Sequence, residues 1–202
     1  MPDIVRPIHV TDLRRNRLQV AFAWSDDRYA HIVSLLTSEN GEPTRILQSI
    51  EGTAEDAWPP SPPVQQLVPH HMESGETFLG VGQAGTAHWS LSVEPLPKPV
   101  VGYHFELACR VTRGPEYIGS RLQMLLRDVH WTEDFQGVSP SLNTAFCGAR
   151  LRLAVEADCS RLTWESSQPS IVNVLPFENH GQQGVLPRTI RWAYRLTLEL
   201  SP

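Results

Sequence analysis

Two clusters in this chain have residue types and spacing suited to chemistry. His70-His71-Met72-Glu73 sets two imidazoles beside a carboxylate, the nitrogen and oxygen donors that a divalent metal takes. On an extended strand adjacent side chains point to opposite faces, so only His71 and Glu73 align. Two aligned ligands are short of a metal site, and a third would have to come from a distant loop, for which His180 in Asn179-His180-Gly181 is the candidate. Such a site would make the chain a metal-dependent enzyme. The other cluster, Gly80-x-Gly82-x-x-Gly85, has the spacing of a glycine loop that cradles a phosphate.

The elements around each cluster decide what it can do. A dinucleotide fingerprint needs a helix leaving the glycines, so that free amides meet the pyrophosphate. Here Ala87, Trp89, Leu91 and Val93 alternate with His88, Ser90, Ser92 and Glu94, the period of a half-buried strand, and Pro95, Pro97 and Pro99 then exclude a helix. The glycines are therefore expected to form a hairpin corner. Gly82 and Gly85 remain candidate ligand contacts only if that corner stands at the rim of a pocket, and Asn179 and His180 join them as a candidate loop surface. His88 and His104 fall on polar strand positions. An in-register hairpin would set Ser92 opposite His104 and His88 opposite Ala108, too far apart for the two imidazoles to share one metal.

Period-two alternation runs through most of the chain. It recurs in YHFELACRV (103–111), in RLRLAVE (150–156) and in TIRWAYRLTLEL (189–200), where Ile190, Trp192, Tyr194, Leu196, Leu198 and Leu200 form one apolar stripe. RLQVAFAW and YAHIVSLL read as strands joined through Ser25-Asp26-Asp27-Arg28, and RILQSI as a further strand. YIGSRLQMLLRDV fits either period, and Gly119 with its β surroundings favours a strand. Roughly ten to twelve short strands predict an all-β, antiparallel two-sheet sandwich, with a closed β-barrel as the alternative.

The whole of 1–202 reads as one β domain with an irregular Pro-rich connection at about residues 52–75. One or two short helices are expected in that connection, the candidates being TAEDAW capped by Thr53 and a start at Ser61 in SPPVQQL. DVHWTEDFQGVSPSLNTAF (128–146) and PFENHGQQGVLP (176–187) read as long loops. Trp89, Trp164 and Trp192 follow core parity, while Trp24, Trp58 and Trp131 lie near segment ends.

Composition narrows the function classes. A net charge of −5 and no basic run longer than Arg14-Arg15-x-Arg17 argue against nucleic acid as a partner. Sixteen of the seventeen basic residues are arginine, which leaves Lys98, between prolines, as the sole candidate for lysine chemistry. Cys109, Cys147 and Cys159 are odd in number and lack metal spacing, so neither a disulfide framework nor a thiolate zinc site is expected; Cys109 has the parity of a buried thiol. No apolar run reaches the length of a signal peptide or a membrane span, which predicts a cytoplasmic protein without membrane contact. The sequence thus points to a non-enzymatic β-sandwich that binds a ligand or protein partner. No cofactor is expected, and a divalent metal would enter only with the enzyme alternative. A structural or homo-oligomeric protein using an exposed sheet edge is the third reading.

Overall fold

The computed structural model describes residues 4–11, 16–36, 42–73, 75–126, 132–134, 141–146, 149–156, 158–165, 168–177 and 185–200. These residues form fifteen strands and no helix. The first half contributes β1 (Ile4–Thr11), β2 (Arg17–Ser25), β3 (Arg28–Leu36), β4 (Thr44–Ser49), β5 (Gln66–Met72), β6 (Gly75–Ala84), β7 (Ala87–Pro95) and β8 (Val101–Val111). The second half contributes β9 (Ser120–Met124), β10 (Thr132–Asp134), β11 (Ser141–Phe146), β12 (Ala149–Val155), β13 (Ser160–Glu165), β14 (Gln168–Pro176) and β15 (Arg188–Leu200).

The strands lie in two antiparallel sheets. The first runs β1-β2-β3-β4-β9-β14-β13, and the second runs β10-β11-β12-β15-β8-β7-β6-β5. Each sheet contains a four-stranded meander from the first half of the chain and is completed by strands of the second half. Both sheets keep two free ends, so the architecture is a sandwich and the barrel alternative is excluded.

Alternation explains the layers. Leu18, Val20 and Phe22 of β2 and Val33 and Leu35 of β3 face Phe78, Val93, Phe105 and Leu196 of the second sheet in one buried cluster. Phe22 meets Phe78 edge-on at 5.0 Å, and Trp89 meets Trp192 the same way at 6.0 Å. Phe105 and Tyr194, opposite each other in the β8–β15 ladder, stack at 4.5 Å. β15 is the spine of the second sheet, paired over Arg188 to Leu198 with β8 on one side and over Tyr194 to Leu200 with β12 on the other. From it the Trp192 indole donates to Ser120 Oγ on β9 at 2.9 Å, tying the spine to the opposite sheet.

Several sequence expectations need correction. The connection holds no helix, because Pro59, Pro60, Pro62 and Pro63 remove amide donors and obstruct an α-helical ladder. Thr53 and Asp56 do find each other, as an isolated turn in which the Asp56 carboxylate accepts from the Thr53 amide at 2.7 Å. The irregular stretch ends at Gln65, since 66–72 is strand β5, where the end of a sheet tolerates Pro69. The stretch 128–146 contains β10 and β11, and the strand total exceeds twelve. Trp164 is 45% exposed, because β13 ends its sheet and its pairing with β14 shifts beside Trp164. The β7–β8 hairpin turns about Pro99, with Leu96 N donating to Gly102 O, which sets Glu94 opposite His104 and His88 opposite Arg110.

Candidate functional site

The glycine cluster lies inside β6 and its turn into β7, as a hairpin corner, with Gly85 at φ 55°. Two of its glycines admit a close approach by the chain itself. A Cβ on Gly82 would collide with the Pro63 carbonyl, and one on Gly80 would lie 2.8 Å from Val64 Cγ1. Gly85 faces Ala57. Residues 50–65 thus form a strap that leaves the first sheet at β4, crosses the glycine floor and enters the second sheet at β5. Tyr29 N donates to Val64 O at 2.7 Å and Gln65 N to Val81 O at 2.9 Å, holding the strap's far end to both sheets. Its middle is held by Arg121 N to Pro60 O at 3.1 Å and by Ser61 Oγ to Arg121 O at 3.0 Å. The Arg113 guanidinium lies 5.7 Å from the centre of the Trp58 ring.

A buried polar cluster sits at the root of the strap. Arg28, only 2% exposed, is forked onto the Asp27 carboxylate at 2.7 and 2.9 Å and donates to Thr53 O at 2.8 Å, while its Nη1 meets no acceptor among the described residues. Ser49 Oγ accepts from the His31 amide and donates to Glu51 Oε1 at 2.5 Å. Glu51 Oε2 is shut off from solvent and meets no donor among the described residues. Burial pushes the Glu51 carboxyl up to about 7, against the Ser49 hydrogen bond and the Arg28 charge, which both pull it down. His31 packs among Phe22, Phe105 and Tyr194, and burial lowers it to about 4, so its ring is neutral at physiological pH. Sequence reading passed over all of these residues except as strand or turn members. The available signal was a histidine at core parity inside the apolar run of β3.

The free edge of the second sheet has a different character. β5 pairs with β6 through seven register positions and, among the described residues, has no strand on its other side. Val68, Met72, Leu79 and Val81 share the outward face of this pair and are between 43% and 59% exposed. Val68 stands directly opposite Leu79, and β5 carries no Lys, Arg, Asp or Glu.

His71 and Glu73 lie on this edge and at its end, both exposed, with His71 opposite Glu76 and His70 opposite Thr77. Among the described residues, the one set of three metal-capable side chains with ligand atoms within 4.8 Å of one another is Glu156, Asp158 and Cys159, which includes neither. There Glu156 Oε1 already takes Arg195 Nη2 at 2.9 Å and faces His104 Nε2 at 3.2 Å, so a cation would have to displace the arginine. Glu156, Asp158 and Arg195 edge an open groove of about 1940 Å³. Its rim mixes Lys98, Arg152 and Arg195 with Glu76, Asp158 and Glu199, a distribution that selects no single ligand charge. Asn179 and His180 lie outside the described residues.

No helix among the described residues is long and apolar enough to cross a membrane. No protein-family model matches the chain, and comparisons with curated proteins and with solved structures find no match either.

Proposed function

We propose that this two-sheet protein is a non-enzymatic binding module whose β5–β6 edge receives an extended segment of a partner protein. The observation that carries the reading is the row of exposed Val68, Met72, Leu79 and Val81 on one face of a strand pair whose outer strand has no neighbour among the described residues. Strand addition supplies affinity through main-chain hydrogen bonds and specificity through the alternate side chains of the added strand. An edge without fixed charge favours an apolar, uncharged segment, since no gatekeeper lysine or glutamate opposes pairing. Pro69 removes one amide from β5 and so limits promiscuous pairing.

The test compares the chain, isolated under native conditions from the cells that make it, with its Leu79→Glu/Val81→Glu variant. The reading expects a discrete complex that the double variant loses while its thermal midpoint stays put, because both positions are exposed. A complex that survives the double variant, or a chain that runs alone in both forms, would overturn it.

A further inference from the structure

The crossover from β12 to β13 gathers chemistry that the β5–β6 edge does not use. β12 belongs to the second sheet and β13 to the first, and Glu156, Asp158 and Cys159 lie between them. Backbone contacts fasten this turn. Cys159 N and Ser160 N both donate to Glu156 O, at 3.1 and 2.7 Å, and Phe177 N donates to Cys159 O at 2.7 Å. The Ser160 hydroxyl accepts from Ala193 N on β15 at 2.7 Å. One oxygen of each carboxylate and the Cys159 sulfur lie within 4.8 Å of one another. His104 reaches the same place from β8, with its Nε2 3.2 Å from Glu156 Oε1. That nitrogen is shut off from solvent and makes no hydrogen bond among the described residues, so the short contact to Glu156 is of another kind.

We propose that Glu156, Asp158, Cys159 and His104 hold a divalent cation of the zinc class, which staples the crossover between the two sheets to β8.

The donor spacing suits a shared ion. Two donors each about 2.0–2.1 Å from a tetrahedral ion lie about 3.3 Å apart, close to the 3.2 Å between His104 Nε2 and Glu156 Oε1. One thiolate, one imidazole and two carboxylates make a mixed sulfur, nitrogen and oxygen set. Sulfur and nitrogen favour zinc over magnesium and calcium, which take oxygen ligands. Four protein ligands leave no open position, which makes the site structural. Arg195 is the competitor, with its Nη2 2.9 Å from Glu156 Oε1. It is half-exposed, and an ion pair of that kind holds weakly. A carboxylate also has two oxygens, so the guanidinium can move to Oε2 when the metal takes Oε1. Cysteine spacing hid this set in the sequence, because its single thiol is joined by acids of the same turn and by a histidine from a distant strand.

The test titrates the full chain, carrying no polyhistidine tag and stripped with a chelator, with Zn²⁺ and separately with Co²⁺. A single equivalent should bind, and Co²⁺ should give a thiolate charge-transfer band in the near ultraviolet that Cys159→Ser removes. His104→Ala should weaken Zn²⁺ binding by more than the roughly tenfold that loss of an outer-shell partner costs. Arg195→Gln removes the competitor and should tighten Zn²⁺ binding by about two- to fivefold. Bound Zn²⁺ should also block alkylation of Cys159, mapped by peptide mass, where the same concentration of Mg²⁺ does not. The absence of saturable binding, binding that Cys159→Ser leaves unchanged, or equal protection of Cys159 by Mg²⁺ would overturn the proposal. Should the ligand variants fail to fold, the wild type decides: the cobalt band together with Zn²⁺ protection of Cys159 supports the site, and the lack of either overturns it.

Discussion

The Tyr194 hydroxyl lies 3.3 Å from His31 Nε2, a polar contact enclosed between two apolar sheets. It joins β15, the spine of one sheet, to β3 of the other, with the Phe105 ring stacked on Tyr194 and tilted toward His31. Burial raises the tyrosine above its ordinary value and lowers the histidine, so both groups are neutral and each satisfies the other. Tyr194→Phe keeps the stacking and leaves a ring nitrogen buried without a partner. We expect a loss of about 1–3 kcal/mol in urea unfolding, with no change in the denaturant slope.

Stability should follow pH in an unusual way, because the shifts of His31 and Glu51 act on it with opposite signs. His31 binds its proton in the unfolded chain below 6.5 and in the fold only below about 4, so its contribution is lost as pH falls through that interval. Glu51 keeps its proton in the fold up to about 7 against 4.5 when free, so its contribution is lost as pH rises from 4.5 to 7. Between 4.5 and 6.5 the slopes cancel. Unfolding at a series of pH values should show a plateau there, a fall on the acid side, and on the alkaline side a decline ending near pH 7. In Glu51→Gln the His31 slope should reappear across the plateau.

The glycine floor predicts a contrast among three substitutions. Gly82→Ala forces its Cβ against the Pro63 carbonyl, backbone that yields little, and should cost about 2 kcal/mol or more. Gly85→Ala adds to the strain of a positive φ a tight approach of its Cβ to Ala57 Cβ at 3.2 Å, and should cost about 1–2 kcal/mol. Gly114, where an added methyl would meet nothing within 4 Å, should accept alanine with no loss. Thermal midpoints of the three variants check this order.

Thiol chemistry gives an independent check on the core. Cys109 is fully buried, and burial pushes its thiol up to about 12, whereas Cys159 is partly exposed beside Ser160 Oγ at 3.3 Å. An exposure-limited thiol reagent should label Cys159 well before Cys109, and Cys109 at the rate of unfolding.

The sandwich was legible because most strands bury one face, and a half-buried strand writes its position as alternation; Trp192 and Tyr194 in the β15 stripe are the clearest instance. β5 was hidden because it buries almost nothing, so Gln66 to Met72 show no period and Pro69 suggested a break. The glycine motif was correctly read as a corner, but which atoms use Gly82 depends on Pro63, nineteen positions earlier, through a contact that local spacing does not encode. The buried cluster escaped for a related reason. His31, Glu51 and Tyr194 come from three separated segments, and only the packing of one sheet on the other makes them neighbours.

The proposed partner site is tested most directly by photo-cross-linking from a benzoyl-phenylalanine placed at Val68 on β5, with the same residue at Arg161 on β13 as the control edge. A partner strand added to β5 predicts a discrete heavier adduct from position 68 and none from position 161. An adduct of twice the chain mass would assign the edge to self-association instead of a foreign segment. Equal adducts from both positions, or no adduct from position 68, would contradict the account.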